Sequence, residues 1–194
     1  MRVHGVPVRT VVLTVALLLL LALPMLGVAI LVRWRLGAPV LFRQERAGLG
    51  GAPFTLLKFR SMRDGPGDDA ARLTRLGRVL RASALDELPQ LLNVLRGEMS
   101  LVGPRPLPMA YGPLYTPRQA TRLAVRPGLC GLAQAAGRNA LPWEAKLELD
   151  ARYAEAPRLR TDLGIIWRCA GVLLRGQGVS APGHATAPAF RGTQ

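Results

Sequence analysis

The sequence predicts a mainly α protein with one short β-hairpin (α+β): an N-terminal proline-broken re-entrant membrane helix, then a small globular domain carrying interfacial amphipathic helices. Three observations predict it. An uncharged apolar run extends from Val11 to Val32 and contains Pro24; a single β-patterned stretch lies between Val40 and Met62; and apolar residues recur at helical spacing through much of the remainder. With 194 residues the chain has room for one compact domain beside a membrane element, so the expected division is a membrane helix over 1–36 and a globular domain with an extended tail over 37–194.

Taken in order, the first element matches the ~20 apolar residues that span hydrocarbon as a helix. It is too long for the apolar core of a secretory signal, and it ends in Arg33 and Arg35 without a small-residue cleavage site. Arg9 precedes the run, so both flanks are basic, whereas a simple span favours basic residues on one side. Pro24 removes a backbone donor mid-run and is expected to kink or break the helix. A broken helix would return both ends to the same face; a kinked one would still cross, and residue physics leaves both open.

Val40–Gln44 and Phe54–Phe59 flank the Gly-rich stretch Ala47–Pro53 and read as a hairpin. Lys58 alternates with apolar residues there, which on its own suits a solvated strand face. After the loop at Asp64–Asp69, one helix is expected to carry Arg72, Arg75, Arg78 and Arg81 beside the apolar stripe Leu73, Leu76, Val79 and Leu80. That pattern fits a basic amphipathic helix on a membrane surface, and equally the solvated face of a core helix. A second helix is expected from about Glu87 to Arg96 with Gly97 as its stop, then the turn Gly103-Pro104-Arg105-Pro106. Trp143–Ala154 forms another helix behind Pro142. In the last helix, Leu163, Ile166, Trp167, Ala170, Leu173 and Leu174 share an apolar face.

Composition narrows the chemistry. Twenty-six Lys and Arg oppose twelve Asp and Glu, a net charge of +14 that calls for a polyanionic partner: phosphate-bearing substrates, anionic lipid or nucleic acid. Aromatic residues make up only 5% of the chain and no nucleic-acid-binding motif is present, so nucleic acid is not expected. Cys130 and Cys169 have no metal-type spacing, and His4 and His184 lie near the ends. Catalysis therefore rests on carboxylates, lysine or arginine.

Asp86 and Glu87 are adjacent acids in a basic neighbourhood, just before Leu88-Pro89-Gln90. One reading is structural: Asp86 caps the helix, with Ser83 imitating a capping box. The other is chemical. A carboxylate among arginines can stay ionised and attack phosphorus, while its neighbour holds Mg²⁺ against diphosphate oxygens.

The company of this pair resembles the small monotopic phosphoglycosyl transferases, also called bacterial sugar transferases, and within them the PglC type. The resemblance rests on Lys58-Phe59-Arg60-Ser61-Met62, Arg81, Leu85-Asp86-Glu87-Leu88-Pro89-Gln90, Asn93-Val94-Leu95 and Gly97–Pro106. It continues through Val125-Arg126-Pro127-Gly128, Gly131-Leu132-Ala133-Gln134 and Gly137-Arg138-Asn139. It implies that Asp86 is the nucleophile of a covalent phosphosugar intermediate, that Glu87 binds Mg²⁺, and that Arg81, Arg105 and Arg138 line the site. Lys58 and Gln134 join them as candidate substrate-binding residues. It implies transfer of a sugar-1-phosphate from a UDP-sugar to polyprenyl (undecaprenyl) phosphate with release of UMP, at the cytoplasmic face of a bacterial inner membrane. Downstream glycosyltransferases are the implied partners. Gly178-Val179-Ser180 and Gly183-His184-Ala185-Thr186 are similar to members that use UDP-N,N'-diacetylbacillosamine. Two positions depart from the family pattern: Val11 stands where an Asp is common, and Leu23 where a Ser precedes the helix-breaking proline. The competing class is a non-catalytic basic module anchored in the membrane, for which the charge is the support.

Overall fold

The computed structural model of the chain describes residues 2–3, 6–66, 68–175 and 188–192. The tail motifs at 178–180 and 183–186 lie outside the described residues. After two short paired strands, β1 (Arg2–Val3) and β2 (Val6–Pro7), the apolar run forms one helix, α1 (Val8–Leu36). Its most apolar window has a mean hydropathy of 2.9 and is only 11% buried in the protein. At 1.5 Å per residue, 29 residues reach about 43 Å. This helix is long and apolar enough to anchor the protein in a membrane.

The break expected at Pro24 is corrected: helical structure runs through it without interruption. Proline forfeits one hydrogen bond, but Leu23 carries no hydroxyl to compete for the freed carbonyl, so the flanking turns stay helical. The helix ends at Gly37, whose φ of 77° favours a residue without Cβ. Arg33 and Arg35 complement the dipole in the last turn.

The last third of α1 is part of the globular core. Val28 and Val32 pack with Phe59 and Leu80, flanked by Met25, Ala29 and Leu36. Phe59 closes the expected hairpin, β3 (Leu41–Ala47) against β4 (Pro53–Phe59), in antiparallel register from Leu41↔Phe59 to Ala47↔Pro53. The hairpin has two covered faces. Phe59 meets α1, while Leu56 on the opposite face packs with Val94 and Met99. The side chain of Asn93 ties the edge of β4 down by accepting from Leu57 N–H at 3.1 Å and donating to Thr55 C=O at 2.8 Å.

The single arginine-rich helix is also corrected. It is two pieces, α2 (Asp69–Arg72) and α3 (Arg75–Ser83). Leu73 between them is extended and bridges to Met62, and Thr74 starts α3 by accepting from Gly77 N–H at 2.9 Å. Gly77 lies so close to the strand end that a Cβ there would stand 1.8 Å from the Ser61 carbonyl oxygen. The chain then passes through a 3₁₀ turn at Leu85–Glu87 into α4 (Gln90–Leu95).

A short parallel pair not anticipated from the sequence, β5 (Ser100–Val102) and β6 (Gly128–Cys130), locks the proline turn onto the Val125–Gly128 segment. The two backbones nearly touch: a Cβ on Gly128 would lie 2.0 Å from Gly103 N. Beyond α5 (Pro117–Ala120) and α6 (Leu132–Ala136) come α7 (Trp143–Glu155) and α8 (Leu159–Leu174). On α8 the residues that enter the core are Ile165 and Cys169. Three of the residues expected to form its apolar face, Leu163, Ile166 and Trp167, are exposed, Trp167 by 81%. Since α8 touches α3, whose Val79 is also exposed, this side presents apolar surface suited to a lipid boundary.

Candidate active site

The site grows from the turn that follows α3. Ala84 takes a left-handed conformation (φ 55°, ψ 17°) and reverses the chain, which delivers Asp86 and Glu87 as part of the floor of a cavity of about 550 Å³. Neither end of this turn, nor the start of α4, carries a side-chain cap bond, so Asp86 does not act as a helix cap. Both acids are buried, at 4% and 8% exposure. Among the described residues no ion pair or hydrogen bond engages the Asp86 carboxylate.

Glu87 is held differently. Its Oε1 accepts from Lys58 Nζ at 2.8 Å and from Arg105 Nη2 at 2.7 Å. Burial alone would raise its pKa, but Arg105 and Lys58 outweigh that and hold Glu87 well below the usual carboxylate range. For Asp86 the balance reverses. Burial, with the Glu87 charge adding to it, pushes its pKa up to about 6 against the attraction of Lys58, Arg81 and Arg105. One acid is a firmly ionised anchor; its neighbour is a raised, unbonded carboxylate facing the cavity.

Each residue of the Lys58–Ser61 run has its own task. Lys58 reaches Glu87 instead of solvent, and Phe59 enters the α1 core. Arg60 donates to the Leu36 carbonyl at the end of α1, and Ser61 Oγ accepts from Arg81 Nε at 3.0 Å. The expected recognition residues converge on the same cavity: Arg81, Arg105, Gln134 and Arg138 all line it with Lys58. Arg138 sits at φ 54° and donates to the Arg81 carbonyl at 3.4 Å. Burial lowers the pKa of Lys58, Arg81 and Arg138, whereas Glu87 raises that of Arg105.

Unsatisfied groups mark where a ligand belongs. Among the described residues Arg138 Nη1, Gln134 Oε1 and Asp150 Oδ1 are buried without a hydrogen-bond partner, and all three residues line the cavity. Basic residues outnumber acids around it, so an oligophosphate suits it.

Several contributors were not singled out from sequence. Arg46 lines the cavity, donates to Gln44 Oε1 at 2.5 Å, and has its pKa lowered to about 10 by burial and by the Arg105 charge. The antiparallel register supplied a signal for it: Phe42 opposes Lys58 and Gln44 opposes Leu56, so alternation puts Arg46 on the Lys58 face. Ala47 N–H donates to the Leu107 carbonyl at 3.0 Å, fixing the segment that follows Arg105. Beneath it, Arg122 donates to Asp150 Oδ2 at 2.8 Å and to the Arg105 carbonyl. Tyr111, Trp143 and Lys146 form another wall, where Trp143 donates to the Pro188 carbonyl at 2.9 Å.

The fold and this site define an enzyme with a helix long and apolar enough to anchor it in a membrane and a basic cavity around two buried acids. The chain belongs to the bacterial sugar transferase family, whose model matches residues 7–176. It is 50% identical over 168 residues to "Uncharacterized sugar transferase EpsL" of Bacillus subtilis, covering 84% of this chain and 83% of that one. It is 46% identical over 178 residues to "UDP-glucose:undecaprenyl-phosphate glucose-1-phosphate transferase" of Caulobacter vibrioides, covering 82% of this chain and 66% of the relative. Against "UDP-galactose-lipid carrier transferase" of Erwinia amylovora it is 37% identical over 181 residues, covering 81% of this chain but only 38% of the longer protein.

Proposed function

We propose that this protein transfers a sugar-1-phosphate from a UDP-sugar to undecaprenyl phosphate through a covalent intermediate on Asp86. The observation that carries this is the Asp86 carboxylate: buried, beside the cationic groups of Lys58, Arg81 and Arg105, yet bonded to none of them. Such a carboxylate keeps its lone pairs for an electrophile. In the first step an Asp86 oxygen attacks the β-phosphorus of the donor, the bond from that phosphorus to the bridging oxygen breaks, and UMP leaves. In the second, a phosphate oxygen of the polyprenyl phosphate attacks the acyl-phosphate phosphorus. The Asp86 carboxylate is then released and a polyprenyl-diphosphate sugar forms.

Lys58 and Arg105 hold Glu87 in place, and with Arg81 and Arg138 they offset the charge that builds on phosphoryl oxygens. Mg²⁺ fits this donor set: both cationic partners of Glu87 fall on Oε1, so no hydrogen bond among the described residues engages Oε2. Mg²⁺ commonly takes one or two carboxylates together with substrate phosphates. When bound, the ion would neutralise diphosphate charge and ease departure of UMP.

With one soluble and one lipid substrate the reaction belongs at a membrane surface, which we place at the cytoplasmic face of the inner membrane. Basic residues at both ends of α1 support a monotopic arrangement, against the continuous 29-residue helix, which is long enough to cross. Single cysteines placed at Arg9 and Arg35, in a background lacking Cys130 and Cys169, should both label from the cytoplasmic side. Labelling from opposite sides would establish a span instead.

The chemical test uses UDP-sugars labelled at the β-phosphate, with UDP-glucose, UDP-galactose and UDP-N,N'-diacetylbacillosamine compared. A matching donor should leave a hydroxylamine-sensitive label on the protein and release UMP before acceptor is added, and Asp86→Asn should show neither. Full turnover by Asp86→Asn would remove the mechanism. An active enzyme that never accumulates label, even in quenched single turnover, would point to direct transfer.

A further inference from the structure

We propose that a second basic cleft, between the end of α1 and the α2–α3 segment, binds the phosphate of an anionic membrane phospholipid. The cleft is open, about 360 Å³, and lies apart from the catalytic cavity, with no residue common to both linings. Arg35, Arg63, Arg75 and Arg78 contribute its charge, and no acid lines it. All four are exposed. Among the described residues none forms an ion pair; Arg78 donates only to the Leu73 carbonyl at 3.4 Å, leaving most of its donors free. Four guanidinium groups around one hollow repel each other unless an anion sits between them.

The split of the arginine-rich segment creates this arrangement. Arg72 and Arg81 turn to the catalytic cavity, whereas Arg75 and Arg78 turn to the cleft. Arg35 arrives from the last turn of the membrane helix, so the cleft lies where a bilayer's headgroups meet the protein. Its floor is apolar, from Leu36, Leu73 and Leu76. Trp34 on α1 and Val79 on α3 are 73% and 63% exposed. A charged hollow with an apolar floor, close to exposed apolar side chains, matches a lipid that offers a phosphate and acyl chains together. A free phosphate would leave the apolar surface uncovered.

The test is native mass spectrometry of the full chain in a neutral detergent, titrated with phosphatidylglycerol, phosphatidylcholine or inorganic phosphate. Phosphatidylglycerol should be retained with one tight site, and the other two should not compete at equal concentration. Arg63→Gln/Arg75→Gln/Arg78→Gln should weaken that site roughly tenfold to hundredfold, while the corresponding triple Lys variant keeps most of it and shows that folding is intact. Arg160→Gln/Arg168→Gln/Arg175→Gln on α8, equal in charge removed, should leave it unchanged. Equal retention of phosphatidylcholine, displacement by inorganic phosphate, or the same loss in the α8 variant would overturn the assignment. None of these outcomes depends on whether Asp86 is the nucleophile.

Discussion

Two buried carboxylates in this protein sit in basic surroundings and are treated in opposite ways. Asp150 is paired with Arg122 through Oδ2 alone, its Oδ1 having no partner among the described residues, and the donors of Arg122 also reach the Arg105 carbonyl and the Tyr115 hydroxyl. Asp86 lies near several cations and is bonded to none. At 3% and 4% exposure they are equally buried, so burial does not separate them; bonding does. A paired carboxylate stabilises a position, and an unpaired one stores the capacity to react, at a cost to folding that a structural residue would not carry.

The largest effect should come from opening the closed pair. Arg122→Ala leaves Asp150 buried without its partner and removes the brace under Arg105, so the protein should lose about 3–5 kcal/mol. Replacing both residues with apolar ones of similar size should recover much of that stability without restoring the Arg105 brace. Chemical denaturation in detergent measures the first claim, and UMP release by the double variant measures the second. If Arg122→Ala costs nothing, the pair does not hold this region and the contrast with Asp86 fails.

How much of this contrast could be read from the sequence depends on the range of the interactions involved. Asp86, Glu87, Lys58, Arg81, Arg105, Gln134 and Arg138 were all marked by ordered motifs, and the fold gathers them around one cavity. The long apolar helix and the hairpin were equally legible, because an apolar run and two β-patterned segments flanking a Gly-rich stretch are local signals. The Arg122–Asp150 pair was not, since two charges separated by 28 positions show no periodicity. The break at Leu73 was hidden for the same reason: helical spacing continues through it, and only its bridge to Met62 reveals the extended backbone. Strands β5 and β6 have three residues each, too short for alternation to register. On α8 the exposed apolar residues were picked out, but Ile165 and Cys169, which enter the core, were not, because a face turned outward and a face turned to core share one composition.

A smaller effect concerns Asp86 alone, and its sign follows from the raised pKa. Because the folded state holds the Asp86 proton up to about pH 6, above the 3.8 of a free aspartate, this group favours folding most at low pH. The advantage is lost as pH rises through about 6. Asp86→Asn, which has no charge to bury, should therefore be more stable than wild type at pH 8 by roughly 1–3 kcal/mol. The difference should vanish below about pH 4. Thermal unfolding of both proteins in the presence of a chelator tests this, and a variant less stable than wild type at pH 8 would place Asp86 with Asp150 among the structural carboxylates.

The smallest effect lies in the turn that presents Asp86. Ala84 is held at φ 55°, where a Cβ crowds the following carbonyl at a cost of roughly 1–2 kcal/mol. Glycine would relieve that crowding but also loosen the unfolded chain, which returns about 0.4–1 kcal/mol. The net gain for Ala84→Gly should lie between about 0 and 1.6 kcal/mol, with a lower kcat if the alanine stiffens the turn. A fall in kcat with KM unchanged would show that the strain serves to aim the carboxylate. Unchanged kcat with a stability gain would mean that the left-handed alanine is tolerated by the chain and contributes nothing to the chemistry. The free state of Asp86 would then rest on its surroundings alone.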